Sequence, residues 1–344
     1  MAHGLEDGLP TAGEDRLREE TMRAVVRDSY GSAEVLRVAE IARPVPGAGE
    51  VLVQVEAAGI DRGAWHLMTG KPYLLRLVFG VRRPKNPVLG REVAGRVVGI
   101  GEGVTRFVEG DEVFGIGEGT FAEYAVARVD KLALKPAILS FAQAAVVGIS
   151  GITALQALRD GGRVQAGQKV LITGASGGVG TFAVQLAKAF GAEVTGAAST
   201  AKLGLVQSLG ADHVLDYTQE DFADGTHHYD LIIDLAGTPT LKRLRRALTK
   251  TGTAVIAGGE GGGPIAGGTD RQLRARLLSP FVGQRLTSLL SQEKAADLEV
   301  LKELIEAGKV MPSVDSIVPL MEVPRAMGDL EAGLVSGKLA VSIS

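Results

Sequence analysis

The residues best suited to chemistry form one stretch, Val170-Leu171-Ile172-Thr173-Gly174-Ala175-Ser176-Gly177-Gly178-Val179-Gly180. An apolar, β-branched run stops at a cluster of small residues, and a helical pattern follows with Phe182, Leu186 and Phe190 on one stripe. Strand, tight glycine turn and helix together present helix N-terminal N–H groups to a pyrophosphate. Glycine suits this turn because a Cβ would hold the phosphate away from the backbone. The fingerprint is imperfect: Ala175 takes the first glycine position of G-x-G-x-x-G, with Gly177 and Gly180 following.

A second strand, Glu193 to Ser199, completes a βαβ unit of the expected length. An NAD site wants an acid near the end of that strand to accept from the ribose 2′-OH. This chain instead offers Ser199-Thr200-Ala201-Lys202, with hydroxyls and a cation. That set suits a 2′-phosphate and predicts NADP(H). The alternative is a helix N-cap at Ser199 or Thr200 followed by a solvated lysine.

The elements that must position this turn are bounded by composition. A chain of 344 residues with 45% hydrophobic content has room for two domains and real cores. A net charge of −3 gives no electrostatic footprint for nucleic acid or an anionic membrane. With no cysteine there is no disulfide, thiolate nucleophile or cysteine-ligated zinc. Neither a signal peptide nor an 18-residue apolar run is visible, so a soluble cytoplasmic protein is expected.

Residues 1–21 are polar and aperiodic and are expected to form a disordered leader or an extension foreign to the fold. From Met22 to residue 145, short alternating runs separated by glycine turns predict an antiparallel, barrel-like β domain. Residues 146–297 alternate helix and strand around the glycine turn, as a parallel α/β sheet would. They include a Gly-rich stretch from Gly258 to Asp270, read as a mobile loop at the strand ends. Residues 298–344 return to strands and are expected to complete the first domain, making it discontinuous.

Several motifs carry a family resemblance over nearly all of residues 22–344. They are Val88-Leu89-Gly90-Arg91-Glu92-Val93-Ala94-Gly95, Glu109-Gly110-Asp111-Glu112-Val113, Gly119-Thr120-Phe121-Ala122-Glu123-Tyr124 and Gly151-Ile152-Thr153-Ala154. Gly174 to Gly180 and Ser208 to Tyr217 complete the set. The chain resembles the medium-chain dehydrogenase/reductase superfamily, in its zinc-free quinone oxidoreductase branch. The resemblance implies an α/β protein: a GroES-like β domain plus a six-stranded, doubly wound Rossmann sheet, with the active site between them. It also implies a homodimer paired through the last Rossmann strand, near Arg285 to Leu290.

The same resemblance places Lys202 and Tyr217 beside the 2′-phosphate, where Tyr217 alone would read as a half-buried strand-end aromatic. It sets Gly178 and Val179 at the pyrophosphate and Thr153 near the nicotinamide. Ala257, Gly258 and Gly259 (with positions 260–261) and Phe281-Val282 match segments passing the nicotinamide end. Zinc-dependent relatives carry a histidine before the glutamate of Gly-His-Glu, where this chain has Arg91, so no metal is expected. The adjacent His227 and His228 read as a solvated turn. Without a Lewis acid, the substrate must itself accept hydride well, which favours quinones and α,β-unsaturated carbonyls.

Tyr73, His66 and Asp61 are the candidate catalytic residues. Tyr73 and His66 fall in the segment lining the cleft in relatives, although either could serve only its own domain. Asp61 stands where relatives often have Asn, so either the substrate differs or Asp61 is structural. Two other functions stay open: an enoyl-thioester reductase, and a non-catalytic NADPH-binding sensor.

Overall fold

A computed structural model describes residues 20–259 and 262–343. Most of the expected leader (1–19) and positions 260–261 of the Gly-rich stretch lie outside the described residues. Folded structure begins slightly earlier than expected: the Glu20 carbonyl accepts from the Arg43 N–H at 2.7 Å, and strand β1 (Thr21–Val26) opens at Thr21.

β1 pairs antiparallel with β2 (Arg37–Ala42). Next come β3 (Glu50–Ile60), helix α1 (Arg62–Thr69), the single-turn α2 (Arg76–Phe79), β4 (Glu92–Ile100), β5 (Glu112–Ile116), β6 (Tyr124–Arg128) and β7 (Leu132–Leu134). Helices α3 (Phe141–Ala144) and α4 (Gly148–Gln156) lead to β8 (Lys169–Thr173), α5 (Gly178–Ala189), β9 (Glu193–Ala198), α6 (Leu203–Ser208) and β10 (His213–Asp216). The alternation continues through β11 (Tyr229–Asp234), α7 (Leu241–Ala247), β12 (Leu248–Ile256), α8 (Thr269–Leu278) and β13 (Arg285–Ser288). The chain closes with α9 (Ala295–Glu306), β14 (Val314–Pro319), α10 (Val323–Glu331) and β15 (Lys338–Ser342).

The parallel sheet runs β10-β9-β8-β11-β12-β13, the Rossmann order, with its topological switch between β8 and β11. Its strands are apolar on both faces because helices cover both. Val170 and Ile172 pack with Phe182 and Leu186 of α5 on one face, while Leu171 and Ile232 join Leu244 on the other. The barrel-side sheet runs β14-β15-β3-β4-β5-β7, with β6 also paired to β3. Thus the tail does return: β15 pairs antiparallel with β3, Val341 opposite Ala58. One of the core clusters spans both halves: Ala57, Ala94, Phe114 and Ile116 pack with residues of α4 and α5.

Four helices, α1, the single-turn α2, α8 and α10, were not anticipated by the sequence reading. α8 occupies polar sequence of which Ala275 alone is fully buried, so no apolar stripe announces it. The loop before it, read as mobile, is tied to the segment between α1 and α2: Tyr73 N donates to Pro264 O at 2.9 Å and Leu74 N to Ile265 O at 3.1 Å. Among the described residues, no helix is long and apolar enough to cross a membrane.

Candidate active site

At the switch point, between the carboxyl ends of the parallel strands and helix α1, lies a cleft of about 760 Å³. The glycine turn forms its floor. Gly174 adopts φ +68°, a left-handed value that favours glycine. A Cβ on Gly180 would come within 2.1 Å of the Gly174 carbonyl, so only glycine lets the helix start this close to the strand. Gly177 is the N-cap of α5 and no side chain caps the helix, which leaves its first N–H groups for a ligand at the cleft.

One corner of the cleft is formed by Ser199, Lys202 and Tyr217. Lys202 Nζ donates to the carbonyls of Gly333 and Val335 at 3.0 and 2.7 Å. The cation is therefore anchored by the tail while remaining on the cleft wall. Tyr217 is 60% exposed, so it is not the half-buried strand-end aromatic of the alternative reading. Thr200 departs from expectation. Its hydroxyl donates to Asp216 Oδ2 at 2.5 Å, and Thr200 lies outside the cleft lining. A hydroxyl has one proton, and this one is spent on a carboxylate. Asp216 also accepts from the Thr218 hydroxyl, the Thr218 N–H and Gln219. These bonds, that from Thr200 foremost, hold its carboxyl below the ordinary range.

Elsewhere the cleft is lined by Asp61, Arg62, His66, Ser150, Gly178 and Lys338. Asp61 serves as N-cap of α1, its Oδ1 accepting from Ala64 N at 2.7 Å. Its Oδ2 is buried with no hydrogen-bond partner. His66 Nδ1 faces the Lys71 carbonyl at 2.7 Å; because a carbonyl only accepts, Nδ1 carries a proton. Tyr73 does not line the cleft; its ring lies 4.8 Å from the Arg76 guanidinium.

Of the cofactor residues expected from the glycine turn and the resemblance, Gly177, Gly178, Val179, Ala257, Gly258 and Gly259 line the cleft. Thr153, Phe281 and Val282 do not. The Thr153 hydroxyl turns back to the Ile149 carbonyl at 2.7 Å, and Phe281 is 85% exposed on the surface.

Sequence reasoning missed the pair at the cleft floor. Lys338 Nζ donates to Glu92 Oε2, and both side chains are almost fully closed to water. Glu92 Oε1 accepts from Ile149 N at 2.8 Å. Burial pushes the Glu92 carboxyl above its usual range, opposed by Lys338, while the nearby Asp61 charge adds to the upward push. A signal was present: Lys338 heads the apolar run Leu339-Ala340-Val341, and a buried lysine demands a carboxylate. Next to Glu92, Arg91 reaches Glu293 at 2.7 Å, which also receives Lys131 at 2.9 Å.

A dinucleotide fits these residues. The cleft has the volume for it, α5 starts uncapped, and a Cβ on Gly178 would come within 2.9 Å of Lys338 Cδ, so glycine keeps this surface open.

Comparison with known proteins agrees with this geometry. Residues 47–137 match the alcohol dehydrogenase GroES-like domain, and residues 209–341 match the zinc-binding dehydrogenase model. The chloroplastic quinone-oxidoreductase QR1 of Triphysaria versicolor is 33% identical over 337 residues, covering 93% of this chain and 98% of that protein. The 2-methylene-furan-3-one reductase of Solanum lycopersicum is 32% identical, covering 93% of this chain and 79% of that protein. The solved structure of mycobacterial Rv1454c complexed with NADPH superposes with a TM-score of 0.80 at 26% identity, covering 94% of this chain and 100% of that one. The chain belongs to the medium-chain dehydrogenase/reductase superfamily, in its quinone oxidoreductase-like branch, and is an oxidoreductase.

Proposed function

We propose that this protein uses NADPH to reduce quinones or α,β-unsaturated carbonyls without zinc, as a cytoplasmic homodimer. The observation that carries the cofactor choice is the corner formed by Ser199, Lys202 and Tyr217. Its cation faces the cleft, and the nearest acid, Asp216, is already saturated by donors of its own. A 2′-phosphate there gains a charge-assisted hydrogen bond. A free 2′-hydroxyl would find no carboxylate at the end of β9. The NADPH-bound relative supports this reading.

The zinc-free reading rests on donor chemistry. Arg91, at the position of a metal-ligating histidine in zinc-dependent relatives, is paired to Glu293, and the chain has no cysteine. Bound NADPH supplies a hydride for a conjugated acceptor. The chain's own part is then to bind, orient and handle charge. His66 and Ser150 line the cleft where developing negative charge on a substrate oxygen needs a donor. Asp61 Oδ2, lacking a partner, is set to accept from a ligand hydroxyl or amide. Lys338 is committed to Glu92 and keeps the floor polar but closed.

The test is cofactor oxidation, with NADPH and NADH compared against a panel of quinones, enones and enoyl-CoA thioesters. Turnover of quinones or enones with an NADPH preference is expected. Activity confined to thioesters, or no activity with NADPH bound, would reject the substrate assignment.

A further inference from the structure

A second cavity, of about 260 Å³, sits in the barrel half and shares no lining residue with the cofactor cleft. Its lining combines an apolar set, Leu67, Val78, Phe79, Val88, Ile116 and Val126, with several charged side chains. Arg27 also lines it, although this residue is only 4% exposed. Its backbone is pinned at the end of β1, Arg27 N donating to Pro87 O at 2.9 Å. Yet Nε and Nη1 of its guanidinium are buried with no hydrogen-bond partner. Desolvation lowers the group's pKa to about 10, with Tyr30 pulling it back up, so it stays cationic near neutral pH.

A buried charge without a counter-ion is costly, and structures normally pair it. The other charges around the cavity do not do so. Arg91 and Lys131 share Glu293, and Arg128 holds Asp130 at 3.0 Å. Of the two lining carboxylates, Glu50 accepts from Gly47 N at 2.9 Å. Glu118 stands exposed, and among the described residues neither it nor any other carboxylate is paired with Arg27. Lys85, exposed at the same cavity, adds further positive charge.

We propose that this cavity binds a small amphipathic carboxylate, its head on Arg27 and its apolar body against Leu67, Val78 and Phe79. The planar guanidinium fork matches a carboxylate. Arg91, Lys131 and Arg128 are already engaged by Glu293 and Asp130, which leaves a strongly hydrated phosphate few free donors to replace its water.

Calorimetric titration of the full chain tests this, using hexanoate and benzoate as probes, hexanol as an uncharged counterpart and inorganic phosphate as a bare anion. The carboxylates bind the native protein; Arg27→Met weakens them about tenfold or more, as loss of a charge-assisted contact should. Hexanol binds correspondingly weakly, and NADPH affinity is the same in both proteins. Arg27→Met also raises the thermal midpoint of the ligand-free protein, since it removes an uncompensated buried charge. Val126→Phe, which fills the cavity and keeps Arg27, abolishes carboxylate binding and serves if Arg27→Met folds poorly. Absence of carboxylate binding to the native chain, equal binding to both variants, or binding of phosphate alone would overturn the proposal.

Discussion

Lys338 on the last strand and Glu92 on β4 meet as a buried ion pair, their side chains 1% and 0% exposed, although 246 positions separate them in sequence. The pair ties β15, whose Lys338 lines the active-site cleft, to β4. Removing one partner strands the other charge. Lys338→Met is expected to cost about 3–5 kcal/mol, and Glu92→Gln added to it should restore much of that loss. Urea unfolding of the single and double variants measures both; a single variant as stable as the parent would show that the pair is not closed to water.

Cofactor choice turns on Lys202. Lys202→Ala should raise the NADPH dissociation constant about tenfold or more and leave NADH nearly unchanged. Fluorescence titration with both cofactors decides it, and equal losses would refute the phosphate assignment. Thr200→Val should shift NADPH affinity by less than about threefold, because its hydroxyl already serves Asp216.

The same threonine predicts a pH effect. Asp216 has its pKa lowered by the Thr200 and Thr218 bonds, so its stabilisation is present above the ordinary carboxylate range and fades as pH falls through its native value. Thr200→Val moves that pKa back up and removes part of the stabilisation. The urea midpoint of this variant is expected to fall below that of the parent near neutral pH, with the gap closing in strong acid. A gap that widened on acidification would contradict the assignment.

Catalysis should depend little on any one donor. A quinone or enone is already activated, and its proton can come from water. His66→Ala is expected to cost at most about 10²-fold in kcat. Tyr73→Phe should cost far less, since Tyr73 does not line the cleft. Steady-state kinetics with NADPH affinity measured in parallel would reveal a dedicated acid as a loss of about 10⁴-fold.

Assembly can be checked by sedimentation. β13 is the edge of the Rossmann sheet, and Leu273, Leu277 and Phe281 beside it are exposed. Such an edge needs cover, which the proposed two-fold contact with a second copy would supply. A monomer at micromolar concentration would exclude the homodimer.

The nucleotide turn was legible because its glycines are local: the Gly174 and Gly180 requirements follow from a few consecutive residues. Strand order was legible from the βα alternation and the resemblance together. Helix α8 was not, since its polar sequence carries no stripe, and neither was the partner of Lys338, which lies in a distant motif. Thr200 shows a different limit. Its residue type suited a phosphate, but the geometry gives its single proton to Asp216, a competitor that spacing alone does not reveal.

Because β15 pairs with β3, the barrel-side sheet closes between segments far apart in the chain, whereas all six Rossmann strands lie in one continuous stretch from Lys169 to Ser288. The Rossmann half can therefore assemble from contiguous sequence, while the edge of β3 stays open until the distant β15 arrives. A proteolytic cut between β13 and β15 would leave a nucleotide-binding half beside a sheet with an unsatisfied edge, a species prone to pair with the wrong partner.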